Sequence, residues 1–279
     1  MFRELAALTR RELLRLARNP YAIFIGVLTP ILYLILFGQA FDLGRLTSGG
    51  PPGATAALSL ALLGAPDYFS YFSVGMVGFV AVTATLFTGA NVIFDKLFGV
   101  MKRTNASPAP AAAIFGARLI AGALQPILLA FFVLGLAILL GHVGGLNGLD
   151  VTANVTPLGA LEIVAAVTLL SVMFTSLFLS IGFLLEQPQS YFAVVNALNL
   201  PVLFTSDALY PWGTMPAWLQ HIASYNPVTL AVNVMRGNLF PPTAYPYASG
   251  VYLLGLFTWA AVMIGVAILL TRRALGPRR

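Results

Sequence analysis

The stretch LGALEIVAAVTLLSVMFTSLFLSIGFLL, residues Leu158–Leu185, decides the class of this protein. It is apolar over its whole length apart from scattered hydroxyl groups and one charged residue, Glu162, near its start. About 20 apolar residues are enough to cross the hydrocarbon core of a bilayer as an α-helix. We therefore predict that this stretch is a membrane-spanning helix.

The composition of the whole chain favours the same class. Of its 279 residues, 59% are hydrophobic and only 9% are charged, and the mean hydropathy is +0.89. Soluble domains average about 25% charged residues, so this chain lacks the polar residues that a soluble surface needs. We predict an all-α polytopic membrane protein. The chain has no cysteine, which excludes disulfides and thiolate metal sites.

Six apolar runs are long enough to span a membrane, and we predict six transmembrane helices in a single transmembrane domain over residues 1–279. The predicted spans are Tyr21–Phe41, Phe69–Ile93, Ile114–Leu140, Leu158–Leu185, Tyr191–Leu209 and Tyr247–Thr271.

The basic residues give the predicted orientation. All 15 lysines and arginines except Arg45 and Arg236 fall on one side of the six-span arrangement. The positive-inside bias then makes both termini and the segment Phe94–Pro108 cytoplasmic. This distribution explains the pI of 9.8 without a nucleic-acid partner.

The segment Phe94–Pro108, FDKLFGVMKRTNASP, is short and basic, and it holds both lysines of the chain, Lys96 and Lys102. Apolar residues recur in it at positions i, i+3, i+4 and i+7, which predicts one amphipathic helix over about residues 94–104. The apolar stripe consists of Phe94, Leu97, Phe98 and Met101.

The N-terminal residues 1–19 form a second predicted amphipathic helix. Its apolar face would lie in the inner membrane interface, with Arg11, Arg15 and Arg18 among the lipid headgroups. The alternative is a charged start that only fixes the topology.

Two short helices are predicted on the outer side, over about residues 216–238. They begin at Pro216 and Pro227, and Asn226 stands as the N-cap of the second helix. An ordinary aromatic-rich loop is the alternative. The aromatic residues of this region suit the membrane interface: Trp212, Trp218 and Tyr225.

The sequence lacks the motifs of the common enzyme and metal sites. It has no P-loop, GxSxG or HExxH motif, and His142 and His221 are isolated, so we predict no catalytic residue, metal ligand or cofactor site. The deep parts of the predicted spans also lack charged residues, which an ion-coupled pump usually needs. Energy for transport would then come from another subunit.

Neutral polar residues do lie deep in the predicted spans. Thr85 forms a small-residue row with Ala81 and Gly89, which serves either close helix packing or a sliding pathway wall. The candidate residues of a substrate pathway are Thr85, Asn91, Asn196 and Asn199.

Three blocks together resemble the ABC type-2 transporter permeases, especially the drug- and lipid-exporting branch similar to the daunorubicin-exporter permease. The first is RELLRLARNPYAIFIGVLTPILYLILFGQAF at the start of the chain, and the second is the segment Phe94–Pro108. The third is LNLPVLFTSDALYPWGTMPAWLQHIASYNPVTLAVNVMRG, with Asn226-Pro227 and Arg236-Gly237 in the expected places.

The resemblance implies a permease of the inner (plasma) membrane that pairs with a second permease, identical or related, and with two ABC ATP-binding subunits that hold ATP and Mg²⁺. The predicted helix at 94–104 becomes a coupling helix: its stripe anchors in an ATPase groove and charged residues form the rim. Leu97 departs from the family, which often has an acidic residue there, so no ionic contact is assigned to it. The coupling residues are Phe94, Asp95, Lys96, Leu97, Phe98, Met101, Lys102, Arg103 and Glu186.

The resemblance also implies export of a hydrophobic or amphipathic cargo, such as a drug, polyketide or lipid, along spans two and five between two permease copies. The outer helices would act as a lid through Trp218, Tyr225, Asn226 and Pro227. Three alternatives remain open at this point. The basic helix could lie on the inner leaflet, and the protein could be an ATP-independent secondary transporter or channel, or a structural assembly factor.

Overall fold

The structure is a computed structural model, and it describes residues 2–18, 20–40, 62, 64–105, 111–143, 146–151, 155–240 and 248–275. Within these residues the chain forms helices and turns and no strand. The α-helices are α1 Phe2–Ala17, α2 Pro20–Ala40, α3 Tyr68–Thr83, α4 Leu86–Leu97, α5 Val100–Asn105, α6 Ala111–Leu140, α7 Pro157–Leu184, α8 Pro188–Phe204, α9 Ala217–Tyr225, α10 Pro227–Leu239 and α11 Ser249–Leu275.

The prediction of an all-α polytopic membrane protein is confirmed. Four helical segments of the described chain are long and apolar enough to cross a membrane: Tyr68–Leu97, Ala112–Leu140, Pro157–Leu184 and Ser249–Thr271. Helices α2 and α8 coincide with the first and fifth predicted spans, with 21 and 17 residues. At 1.5 Å per residue, α8 is about 25 Å long, somewhat less than the roughly 30 Å of a hydrocarbon core. The count of six spans stays a prediction.

The predicted end of the fifth span at Leu209 is wrong, because α8 ends at Phe204 and the chain then turns. Polar side chains donate hydrogen bonds to the carbonyls of the last turn of α8. The Asn226 amide donates to the Val202 carbonyl (2.7 Å), and the Ser206 hydroxyl donates to the carbonyl three residues before it (2.6 Å). The predicted span ends at Phe41 and Tyr247 lie outside the described residues.

Helix α7 is the central element of the bundle. It packs against α11, α4, α10, α6 and α3, and most of its residues are buried. Helix α11 lies at the periphery, with little of its surface covered by the rest of the chain. Helix α1 confirms the predicted N-terminal helix and lies along α6, where Leu5 contacts Gly116. Its placement at a membrane interface stays a prediction.

Helices α4 and α7 approach each other at two facing glycines. A Cβ atom on Gly89 would collide with the backbone carbonyl of Phe178, and one on Gly182 would collide with the backbone of Gly89. Small residues allow such backbone contact between membrane helices. The row of small residues noted in the sequence therefore serves packing.

The joint between α3 and α4 lies at Ala84 and Thr85. The Thr85 hydroxyl is fully buried and donates to the Val82 carbonyl (2.5 Å), and the Tyr191 hydroxyl donates to the Leu86 carbonyl (2.6 Å). These bonds add side-chain donors to backbone carbonyls on both sides of the joint. Thr85 is thus part of the core, and its predicted place on a pathway wall is wrong.

The glycine contact predicts that a larger side chain destabilises the protein at Gly89 but not at Gly135. Gly89→Leu should lower the midpoint of thermal unfolding, measured by size-exclusion retention in detergent, because overpacking costs about 1–3 kcal/mol or more. Gly135→Leu on α6 is the control, since no atom lies within 4 Å of a Cβ added there. Equal midpoints for the two variants would contradict the close contact.

Candidate functional site

The last turn of α4 is fixed by a buried carboxylate, Asp95, which is 3% exposed. One carboxylate oxygen accepts a hydrogen bond from Arg15 of α1 (2.9 Å), and the other accepts one from Arg118 of α6 (2.7 Å). A buried carboxylate needs such partners, because desolvation otherwise costs several kcal/mol. Asp95 therefore joins α1, α4 and α6 at one end of the bundle, and its predicted role as a rim charge is wrong. We call this end, which also holds Lys96 and Lys102, the basic end.

The neighbouring residue, Lys96, binds the C-terminus of α7. Its Nζ donates to the carbonyls of Gly182 (3.0 Å), Phe183 (2.6 Å) and Leu185 (2.8 Å). The last carbonyls of a helix lack intrahelical partners and carry partial negative charge, so an ammonium group is favourable there. Lys96 thus caps the C-terminus of α7. The residue that follows this cap in the chain, Glu186, is exposed. The predicted role of Lys96 as a rim charge is also wrong.

Helix α4 ends directly after Asp95 and Lys96, whose contacts with α1, α6 and α7 we call the clamp. Helix α4 ends at Leu97, and Gly99 takes a φ of +74°, which favours glycine and ends helices. The predicted continuous helix over 94–104 is therefore wrong in this detail: its first part completes α4, and α5 follows the break.

The break divides the predicted apolar stripe. Leu97 and Phe98 are 58% and 79% exposed, and the Phe98 ring stacks on Phe94 with a centroid distance of 6.4 Å. Met101 is 6% exposed, so it is not available as a docking anchor. It packs in a cluster with Val92, Phe115, Leu179, Phe183 and Ala267.

The remaining predicted coupling residues lie at the same end. Lys102 is exposed on α5. The side chain of Arg103 lies outside the described residues. Four of the predicted coupling residues are thus exposed, and we call these four the coupling surface: Leu97, Phe98, Lys102 and Glu186.

The opposite end is organised around Arg236 of α10, which is completely buried. Its guanidinium donates to the backbone carbonyls of Asp207 (3.1 Å), Tyr71 (3.0 Å) and Ala208 (3.3 Å). It also lies 3.5 Å from an Asp207 carboxylate oxygen and 3.5 Å from the centroid of the Tyr71 ring. Arg236 thereby joins α10, α3 and the turn after α8.

The predicted N-cap at Asn226 is confirmed. Its side-chain oxygen accepts from the Val228 amide (2.9 Å), and its amide nitrogen donates to Thr205 (3.0 Å) as well as to Val202. Asn226 and Pro227 are buried, so they shape the region from inside. The two aromatic residues of the predicted lid, Trp218 and Tyr225, are 64% and 73% exposed on α9.

The predicted pathway residues do not lie together. Asn196 and Asn199 are on α8, where Asn196 is exposed and Asn199 is 6% exposed. Asn91 lines a cleft of about 630 Å³ between α1, α2, α3, α4 and α6, and no residue of α8 is among the described residues of its lining. Among the residues that the structure describes, no three His, Cys, Asp or Glu side chains form a group that could hold a metal ion.

An all-α membrane bundle that exposes the apolar residues of a coupling surface on a fixed helix end has the form of a transport permease. Residues 3–240 match the ABC-2 type transporter family, and the chain belongs to this family. It is the transmembrane permease subunit of an ABC transporter, a multi-pass membrane protein whose partner is an ABC ATP-binding subunit.

Relatives cover most of the chain. The transport permease ycf38 of Porphyra purpurea is 28% identical over 96% of this chain and 83% of its own length. The ycf38 permease of Cyanophora paradoxa is 28% identical over 91% and 80%. The doxorubicin resistance ABC transporter permease protein DrrC of Mycobacterium tuberculosis is 23% identical over 91% and 81%.

Sequence reasoning missed Arg15 and Arg118 as partners of Asp95. A signal was present, because charged residues are rare in this chain and Asp95 is an acid among basic residues of the same predicted side. Pairing these residues by sign would have suggested the contact. The choice of Arg15 and Arg118 over the other basic residues depends on the fold.

The buried pair predicts strong coupling between two substitutions. Asp95→Leu alone should destabilise the protein by about 3–5 kcal/mol, because it leaves the buried Arg118 unpaired. Arg118→Leu alone should cost less, because Asp95 keeps its contact with Arg15. The double variant should recover most of the loss in a thermal unfolding series. Glu186→Gln, at an exposed site, serves as control and should change stability by less than about 0.5 kcal/mol. Additive losses in the double variant would contradict the pairing.

Proposed function

We propose that this chain is the permease of an ATP-driven exporter in which two permease chains, identical or related, assemble with two ABC ATPase subunits. The ATPase subunits hold ATP and Mg²⁺, and the permease contributes no cofactor. The observation that carries the proposal is the exposed pair Leu97 and Phe98 on a helix end that is clamped to its neighbours.

The clamp lets the exposed pair, Leu97 and Phe98, transmit force to neighbouring helices. Asp95 attaches the end of α4 to α1 and α6, and Lys96 attaches it to the C-terminus of α7. A force applied at Leu97 and Phe98 therefore reaches three other helices without passing through a flexible linker. This supports coupling of ATPase motion to the spans through the coupling surface.

Docking would rest on apolar anchors with a charged rim. Exposed aromatic residues that enter a groove on a partner typically dominate the binding energy, and rim charges contribute less. Phe98 and Leu97 are the anchors of this proposal, and Lys102 and Glu186 are rim charges of opposite sign. Arg103 stays a predicted rim charge, and Phe94 supports the coupling surface by stacking on Phe98.

The proposed cargo is hydrophobic or amphipathic, a drug, polyketide or lipid. The name of the relative DrrC refers to doxorubicin resistance, which supports a drug-like cargo here. The proposed pathway runs between the two permease copies, where the exposed side of α8 would contribute Asn196. The α9 helix, with Trp218 and Tyr225 exposed, would cover the outer end as a lid.

The coupling surface predicts which substitutions release the ATPase. In a pull-down of the ATPase by the detergent-purified permease, Phe98→Ala and Leu97→Ala should lower recovery at least tenfold, since hot-spot anchors cost about 2 kcal/mol or more. Lys102→Ala should lower recovery mildly and mainly at low salt, because exposed charges are screened. Met101→Ala should reduce thermal stability while the folded fraction keeps its binding.

The same pull-down separates the alternatives. Wild-type recovery by Phe98→Ala would contradict docking through this surface and would favour a segment that lies on the inner leaflet. A chain that captures no ATPase in any variant, and that transports without ATP, would instead be a secondary transporter or channel.

We propose that the protein lies in the plasma membrane with both termini in the cytoplasm. In this cysteine-free chain, single cysteines at Ser107 and Ala274 should react with an impermeant maleimide only from the cytoplasmic side. A cysteine at Ser48 should react from outside. Labelling of position 274 from outside in intact cells would contradict the six-span arrangement.

A further inference from the structure

The cleft between α1, α2, α3, α4 and α6 lies inside one chain, and neither the coupling surface nor the proposed pathway along α8 uses it. We propose that it binds an amphiphile with an apolar tail and an uncharged head that carries hydroxyl and carbonyl groups. As a cargo site it rests on the proposed export function, whereas binding itself does not need the ATPase.

Two side-chain amides supply the hydrogen bonds for such a head. Asn91 of α4 and Gln125 of α6 both line the cleft and are partly open to it. Neither side chain hydrogen-bonds with another group in the part of the chain that the structure describes. Asn91 is exposed and Gln125 is half-buried, so both amides are accessible to a ligand in the cleft. A ligand with donors and acceptors can therefore hydrogen-bond with both.

The charges at the mouth of the cleft select against a charged head. Arg15 and Arg118 line this end, but both bind Asp95, and Arg15 also lies 3.9 Å from Glu12. Glu12 pairs more closely with Arg11 (2.6 Å), so each of these guanidinium groups already faces a carboxylate, and a phosphate or carboxylate of a ligand would have to displace Asp95 or Glu12 from it.

Most of the remaining wall of the cleft is apolar or aromatic, and it also includes Thr29, Thr83 and Thr88. Tyr33 of α2 and Phe79 of α3 lie with ring centroids 5.7 Å apart, and Phe87 and Leu129 extend the same wall. Clefts of about 300–1,000 Å³ with apolar walls and a few polar groups are typical small-molecule sites. The polar residues and the aromatic wall together match a head and a tail in one molecule.

A photoreactive monoacylglycerol with a diazirine in its acyl chain tests the proposal on the purified permease alone. After irradiation, mass spectrometry should find adducts at Tyr33, Phe79 or Phe87, reduced at least fivefold by excess monoolein and much less by oleate of the same chain length. The double variant Asn91→Leu/Gln125→Leu should lose at least fivefold of this labelling. Gln189→Leu, an exposed amide of α8 outside the cleft, is the matched control and should label as wild type.

Two outcomes overturn the proposal. Adducts spread along α11 without reduction by monoolein would mean that the cleft selects no amphiphile. Equal competition by oleate would contradict the assignment of an uncharged head, and this comparison needs only the wild-type chain, so it holds even where the double variant fails to fold. Loss of ATPase docking with retained adducts would contradict the proposed function and leave the binding site standing.

Discussion

The basic end of this permease depends on one carboxylate, that of Asp95, which two guanidinium groups from α1 and α6 share. The next residue, Lys96, points to another side of the helix and caps α7. Consecutive residues of an α-helix are about 100° apart, so two adjacent charges reach different neighbours. The end of α4 is consequently held by several neighbouring helices. Phe98, which lies between this end and the turn at Gly99, is exposed from a backbone that is fixed in place.

The opposite end follows the same principle with a different donor. Arg236 is buried and satisfies backbone carbonyls of α3 and of the turn after α8. Between the two ends, α4 and α7 touch through Gly89 and Gly182, where backbone contact leaves no room for side chains. Polar groups thus hold both ends of an apolar bundle. In the proposed exporter, helices joined in this way would move as units when the coupling surface is displaced.

Local signals in the sequence predicted much of the fold, and tertiary effects explain the rest. The apolar runs and the cap at Asn226 were readable because each depends on neighbouring residues alone. The stripe through Met101 was misjudged because Gly99 breaks the helix, which redirects Met101 into the core. The roles of Asp95 and Lys96 were misjudged because a charge in the sequence does not reveal whether it is buried.

The central claim is that the coupling surface moves together with α7 because Lys96 holds the two. Spin labels at Lys102 and Leu184, both exposed, test this by pulsed electron resonance in the assembled transporter, with labelled chains diluted among unlabelled ones. The account predicts one narrow distance distribution that ATP leaves unchanged and that Lys96→Met broadens. A distance that changes with ATP, or one that is already broad in the wild type, would contradict it.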